Sequence, residues 1–261
     1  MVRPDPREGY VQQATFDSRG SRIRWTEVPG AAPARVYLHG LGSMSAVYHA
    51  HIAARPALTG RRSLFVDLPG HGTSDRPLEF GYTLEDHADA VAVALDAAGV
   101  TGAELIGHSM GGAVAVVLAH RRPDLVSRLV LTEANLDAGP SSTAASGSIA
   151  AHDEDEFVEK HYARVLDAVG PLWAATMRLT DPRALHRSAV GLCRGSDPVM
   201  RTILEGLPVD RVFLQGELSG ELAGRRRLEA VGVRVVTVPG AGHNVMFDAP
   251  GTFAAAVAGT H

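Results

Sequence analysis

Hydrophobic positions along the chain gather in short continuous runs and seldom alternate strictly with polar ones. "RVYLHG" (35–40), "SLFVDLPG" (63–70), "AELIGHS" (103–109), "RLVLTE" (128–133), "RVFLQG" (211–216) and "VRVVTVPG" (233–240) are rich in Val, Leu and Ile, and most end at Gly or Pro. A strand that is apolar at every position buries both faces, as in a parallel sheet covered by helices. Segments of helical period lie between the runs. In "TLEDHADAVAVALDAAG" (83–99), Thr83 and Asp86 make a capping pair and Gly99 a stop signal. This alternation predicts βαβ units with right-handed crossovers. Ahead of it, "VQQATFD" and "SRIRWTEVPG", on either side of Arg19 and Gly20, read as an antiparallel hairpin on the sheet edge. The fold class is α/β: a mostly parallel central sheet covered by helices on both faces.

The rhythm breaks once. From Asp137 to Pro208 no strong strand pattern occurs. "DAGPSSTAASGS" reads as a small-residue linker. Val158, Tyr162, Val165 and Val169 then share one helix face, and further helices are expected at 171–179, 183–193 and 198–206. Residues 137–208 are therefore expected to form an inserted helical cap, with 1–136 and 209–261 as the core.

Composition narrows the function classes. A chain of 261 residues is long enough for one large domain, and a net charge of −4 offers no basic field for nucleic acid. The opening "MVRPDPREGY" has no apolar run and does not read as a signal peptide. No stretch reaches the ~20 apolar residues of a membrane span. A single cysteine, Cys193, excludes an internal disulfide and suits a reducing compartment. The expectation is a cytoplasmic protein with a small-molecule substrate and neither a nucleic-acid nor a membrane partner.

"ELIGHSMGGAVAVVLAH" (104–120) carries the chemistry. Gly107-His108-Ser109-Met110-Gly111 fits G-x-S-x-G, running out of an apolar strand and into a helix. A serine at the tip of so sharp a turn has strained backbone angles and crowded neighbours. Glycine two positions before and two after removes side chains that would collide there. The pattern also arises by chance in Gly-rich chains, but here the flanking strand and helix are both present. Ser109 is the expected nucleophile, and the Met110 amide, opening the next helix, an oxyanion donor.

With these residues in view, nearly the whole chain resembles the α/β-hydrolase superfamily. "HGLGS" (39–43) resembles its His-Gly turn, "DLPGHGTSD" (67–75) the loop after its next strand, "GHSMGG" (107–112) its elbow, and "VPGAGHNVMFDAP" (239–250) its histidine segment. The resemblance implies that the Leu41 amide is the second oxyanion donor and His243 the general base. His243 also follows a strand and a Gly-rich turn, where a rigid loop can present an imidazole. Of the other histidines, His108 is expected to be structural, and His39 and His71 to tie down loops.

The triad acid departs from the common pattern. Most members of the superfamily place Asp in a G-x-x-D setting after the strand that follows the cap, but here that register reads Gly216-Glu217-Leu218-Ser219. Some relatives, among them one group of haloalkane dehalogenases, carry a Glu at the end of the strand before the cap. In this chain that residue is Glu133. An acid ending an apolar strand is costly unless paired. Glu133 ranks first as the acid, with Glu217 as the alternative and Asp137 third.

These residues describe a serine hydrolase that acts on a small ester, lactone or thioester through an acyl-enzyme. A carbon–carbon bond hydrolase or a cofactor-free lyase of the same fold is the alternative reading. A small-molecule receptor that keeps the triad is the reading from a different class. Leu172, Trp173 and Met177 are candidate pocket residues, although a core role suits them equally. "HDEDE" (152–156) reads as a solvated helix start, and Cys193 lacks a nucleophile motif. No metal or cofactor motif is visible.

Overall fold

Eight strands among the described residues form one sheet with the order β1 (Val11–Thr15), β2 (Arg22–Val28), β4 (Arg61–Asp67), β3 (Ala31–Leu38), β5 (Ala103–His108), β6 (Val126–Thr132), β7 (Asp210–Gly216), β8 (Val233–Val238). The computed structural model describes residues 11–139 and 144–259. The first two strands make an edge hairpin, β2 pairs antiparallel with β4, and every other pairing is parallel.

Helices α1 (Ser45–Ala53), α2 (Leu84–Ala97) and α3 (Met110–Arg121) follow β3, β4 and β5. The capping pair ahead of α2 forms: Thr83 Oγ1 accepts from the Asp86 amide, and an Asp86 carboxylate oxygen accepts from the Thr83 amide, each at 3.1 Å. Such a cap stabilises a helix by about 1 kcal/mol. Strand residues alternate between two layers. In β3, Val36 and Leu38 join the layer that includes α2 and α3, whereas Tyr37 faces the layer built on α1 and the C-terminal helix. Burial on both faces explains the uninterrupted apolar runs.

Among the described residues between β6 and β7 the regular elements are helices: α4 (Ala144–Ala150), α5 (Glu154–Glu156), α6 (Tyr162–Ala168), α7 (Pro171–Met177), α8 (Pro182–Arg194) and α9 (Met200–Gly206). Then α10 (Arg225–Ala230) links β7 to β8, and α11 (Val245–Asp248) and α12 (Pro250–Ala258) close the chain. Part of the expected linker is helical, because Ile149 of α4 is fully buried and α4 packs on α8; residues 140–143 of that linker lie outside the described residues. Val158, Tyr162, Val165 and Val169 all pack on the core, but through a π turn at Phe157–His161 in place of a regular helix.

The helical insertion is tied to the sheet-bearing part by polar bonds as well as apolar contact. The Asp181 amide donates to Gly70 O at 3.0 Å, and Arg76 Nη2 to Leu179 O at 2.7 Å. Glu154, from the acidic stretch, is held by Arg183 and Arg187 of α8. That pairing holds its carboxyl down at about 2. Among the described residues no helix is long and apolar enough to cross a membrane.

Five histidines of the sheet-bearing part, His39, His49, His71, His87 and His108, lie buried, as does His186 of α8. Burial lowers the His39 imidazole to about 4 and those of His49 and His71 to about 3, and it pushes His87 and His108 well below the usual range. All five are neutral in the folded chain, whereas the unfolded chain takes up protons near the ordinary pKa of about 6.5. Their contribution is therefore complete above about pH 6.5 and is lost as pH falls toward the depressed folded values. Each group costs up to about 1.4 kcal/mol per pH unit in that window. Urea unfolding should show a clear loss of stability between about pH 7 and about pH 5, before carboxylates titrate. A flat profile across that interval would contradict the neutral-histidine account.

Candidate active site

Strand β5 ends at His108 and α3 begins at Met110, which leaves Ser109 alone in the turn with φ 51° and ψ −121°. A left-handed non-glycine residue costs on the order of 1–3 kcal/mol and persists only where its surroundings fix it. Here the Ser109 amide donates to Thr132 O at 2.9 Å, and Ser109 O accepts from the Gly112 amide at 2.9 Å. A Cβ at Gly107 would lie 2.6 Å from Gly112 Cα, and one at Gly111 would lie 2.5 Å from Leu38 O. Both glycines of the motif are thus sterically required.

Strand register sets the next residue. His108 pairs with Thr132, and Thr132 with Leu214, so Ser109 and Glu133 leave adjacent strands at one level. Glu133 also has a left-handed backbone, with φ 50°. Its amide donates to Leu214 O at 3.0 Å, and its Oε1 accepts from the Gly216 amide at 2.6 Å. The other oxygen, Oε2, lies 3.5 Å from His243 Nδ1, with the Glu133 side chain only 9 % exposed. That is ion-pair range and long for a hydrogen bond.

His243 is placed by its own loop. His108 Nε2–H donates to His243 O at 3.0 Å, so the buried elbow histidine ties down the loop of the half-buried one. The Leu218 amide donates to Ala241 O at 2.9 Å. At Gly216 a Cβ would meet Gly242 O at 2.3 Å and Ala241 O at 2.5 Å, so only glycine lets the histidine loop approach β7. The structure therefore brings Glu133 to His243. Glu217 Oε2 instead accepts from the Gly240 amide at 2.9 Å and is exposed, while Asp137 is held by Arg201 at 2.5 Å. Neither alternative acid reaches the imidazole.

Ser109 and His243 line one cavity of about 170 Å³, together with Gly40, Leu41, Tyr48 and Trp173. A second, more polar cavity of about 260 Å³ also borders His243 and is walled by Glu133, Asn135, Gln215 and Ser219. Ser219, where the common acid is missing, thus borders open space. Of the three candidate pocket residues only Trp173 lines the first cavity. Met177 is fully buried and would touch any Cβ on Gly42, whereas Leu172 is 40 % exposed. Tyr48, Ser146 and Leu192 also line it. They come from distant elements, and no local motif marked them.

The turn after β3 is pinned at its first carbonyl. The Leu68 amide donates to His39 Nε2 at 3.0 Å, which leaves Nδ1–H to donate to Gly40 O at 2.7 Å. Across a trans peptide the N–H points opposite to the carbonyl, so anchoring Gly40 O fixes the direction of the Leu41 N–H. Among the described residues the Leu41 and Gly42 amides donate to no protein acceptor. Met110 opens α3, where the first amides have no intrahelical acceptor. His71 ties its own loop through Pro69 O at 3.0 Å.

One cluster elsewhere has metal-ligand composition. His152, Glu156 and His161 bring their ligand atoms within 4.8 Å of one another. The two imidazoles, however, are stacked 3.7 Å apart with planes 10° from parallel. In-plane lone pairs of parallel rings do not converge on one ion. Cys193 lies in α8 and lines neither cavity.

A sequence model of the alpha/beta hydrolase fold matches residues 36–209. An esterase of Mycobacterium tuberculosis is 31 % identical over 175 residues, covering 67 % of this chain and 54 % of the esterase. A 2-(acetamidomethylene)succinate hydrolase of Mesorhizobium japonicum is 30 % identical over 243 residues, covering 83 % of each chain. Among solved structures, an enol-lactonase from Burkholderia xenovorans superimposes with a TM-score of 0.78 at 22 % identity, covering 95 % of this chain and 99 % of the lactonase. The chain spans about half the length of the esterase and of a mouse sn-1-specific diacylglycerol lipase that it also matches.

The close approach at Gly216 yields a prediction. Gly216→Ala should push the histidine loop off β7 and destabilise the fold by about 1–3 kcal/mol, as overpacking does. Guanidinium melts would check this. A variant as stable as the parent would show that the loop yields freely.

Proposed function

The chain belongs to the α/β-hydrolase fold family, and from that premise we propose that it is a serine hydrolase acting on a small ester, lactone or thioester. The observation that carries the reading is the meeting of three strand-end residues. Ser109 and His243 share one cavity, and Glu133 lies 3.5 Å behind the imidazole. Two of the three, Ser109 and Glu133, sit on left-handed backbone, a strain that favours a functional over a structural account.

In the proposed reaction the substrate carbonyl enters the cavity over Ser109. His243 Nε2 takes the hydroxyl proton as Oγ bonds to the carbonyl carbon. Glu133 keeps the proton on Nδ1 and stabilises the imidazolium. Negative charge gathers on the carbonyl oxygen, where the Leu41 and Met110 amides receive it. The C–O or C–S bond breaks as His243 protonates the leaving group. Water, activated by the same imidazole, then releases the acid and frees Ser109.

Cavity size bounds the substrate. A buried apolar cavity of about 150 Å³ holds one benzene-sized molecule. The space of about 170 Å³ beside Ser109 is of that order, so a short acyl group fits and a long straight chain does not. Ser146 adds a buried hydroxyl with no hydrogen-bond partner among the described residues, a polar contact for a bound substrate. The named activities of the similar esterase and lactonase agree with this class.

A fluorophosphonate probe should label the protein at Ser109, and Ser109→Ala should remove the label. Labelling that persists in Ser109→Ala would refute the nucleophile assignment. Across p-nitrophenyl esters, acetyl to butyryl chains should give kcat/KM at least about tenfold above octanoyl, a barrier difference of about 1.4 kcal/mol. Equal rates with the long chain would contradict the size limit.

A further inference from the structure

The turn Gly40-Leu41-Gly42-Ser43 is closed by the Ser43 amide, which donates to Gly40 O at 3.1 Å, and Gly42 has φ 65°. A left-handed third residue marks a type II-like turn. That form differs from type I by a flip of the central peptide, here Leu41–Gly42. The carbonyl that reports the flip is Leu41 O. It accepts from Trp173 Nε1 of α7 at 2.8 Å. The following carbonyl, Gly42 O, accepts from the hydroxyl of Thr176, also on α7, at 3.0 Å. Spacing of three puts both donors on one face of the helix. A Cβ on Gly42 would sit 3.0 Å from Trp173 Nε1, 3.1 Å from Met177 Cε and 3.3 Å from Leu185 Cδ1, so α7 and α8 pack directly onto the turn.

The three carbonyls of the turn are thus drawn away by partners of two kinds. His39, from the sheet, holds the first, and α7, from the insertion, holds the other two. A flipped central peptide would leave Leu41 O without its donor and Trp173 Nε1 without its acceptor at a partly buried site. It would exchange Leu41 O for the Gly42 N–H and release the turn at its second peptide, while the Leu41 N–H belongs to the preceding peptide, which His39 holds through Gly40 O.

We propose that Trp173 and Thr176 are positioning residues for the oxyanion turn: by seating α7 on Leu41 O and Gly42 O they fix the two peptides that follow the Leu41 N–H, the donor that His39 aims through Gly40 O. Docking of α7 and fixing of the oxyanion turn are then coupled. The proposal rests on the serine-hydrolase reading above.

The test uses Trp173→Phe and Thr176→Val, which keep most of the packing and remove the donors, with Ser109→Ala alongside. A short-chain trifluoromethyl ketone serves as the probe. Ser109 Oγ adds to its carbonyl carbon, the carbonyl electron pair moves to oxygen, and the serine proton passes to His243. The adduct therefore reports oxyanion binding directly. Each variant should lower kcat about tenfold with KM within about threefold, and should raise the inhibition constant of the ketone in parallel with the loss in kcat/KM. Thr176→Ser, which retains the hydroxyl, should recover most of its loss. A merely structural role lowers the folded fraction, and so kcat, without changing the ketone's inhibition constant, and that result would overturn the proposal. Wild-type kcat and ketone affinity in both variants would overturn it too. Hydrolysis that survives in Ser109→Ala would instead remove the reading on which the proposal stands.

Discussion

The Glu133 carboxylate lies between the Gly216 amide, 2.6 Å from Oε1, and His243 Nδ1, 3.5 Å from Oε2. A largely buried carboxylate without partners costs several kcal/mol, so much of the surrounding architecture can be read as what makes this position tolerable. Pairing of β5, β6 and β7 brings Ser109 and Glu133 out at one level. The left-handed backbone of Glu133 turns its side chain toward β7, and the missing side chain at Gly216 leaves room for the histidine loop. His108 then ties that loop to the elbow strand. These constraints reinforce one another, since a shift in any of the three strand ends would separate the carboxylate from the imidazole.

Around this centre the protein relies on neutral polar groups in place of charges. His39 is fixed as one tautomer because a backbone amide occupies Nε2, and it holds the turn whose Leu41 amide is aimed by that contact. Buried imidazoles of this kind provide directional bonds without the desolvation cost of a charge, provided they stay unprotonated. The helical insertion shares one hydrophobic cluster with α2 and α3 and reaches the Gly40–Ser43 turn through Trp173 and Thr176. In the proposed reaction its contacts therefore bear on the turn beside Ser109 as well as on the cavity that Trp173 lines.

Much of this was legible in the sequence for physical reasons that can be named. Strands buried on both faces leave uninterrupted Val, Leu and Ile runs, and the six read from such runs lie where β3 to β8 form. The Thr83 and Asp86 cap is a local interaction and reads directly. The Gly107 to Gly111 spacing reflects contacts within the elbow and with β3. What was not legible depends on distant packing. Small residues near 144–150 carry little helical signal, and burial of Ile149 against α8 decides the matter. The π turn at Phe157–His161 has no pattern of its own, because it lets a helix face follow the core. Leu172 and Met177 were indistinguishable from Trp173 by type and spacing, and only docking of α7 separates them into exposed, buried and cavity-lining residues. The bond from Trp173 to Leu41 O joins residues far apart in the chain, and no local rule foretells it.

The most direct test of the central claim compares kcat for Glu133→Gln and Glu217→Gln, with melts to verify that both variants fold. Glutamine keeps the shape of either side chain and removes its charge. Loss of an orienting carboxylate from such a dyad lowers kcat by about 10⁴. Glu133→Gln should fall by orders of magnitude, whereas Glu217→Gln, which loses only a loop contact to the Gly240 amide, should stay near the parent rate. A crippled Glu217→Gln beside an active Glu133→Gln would contradict the account.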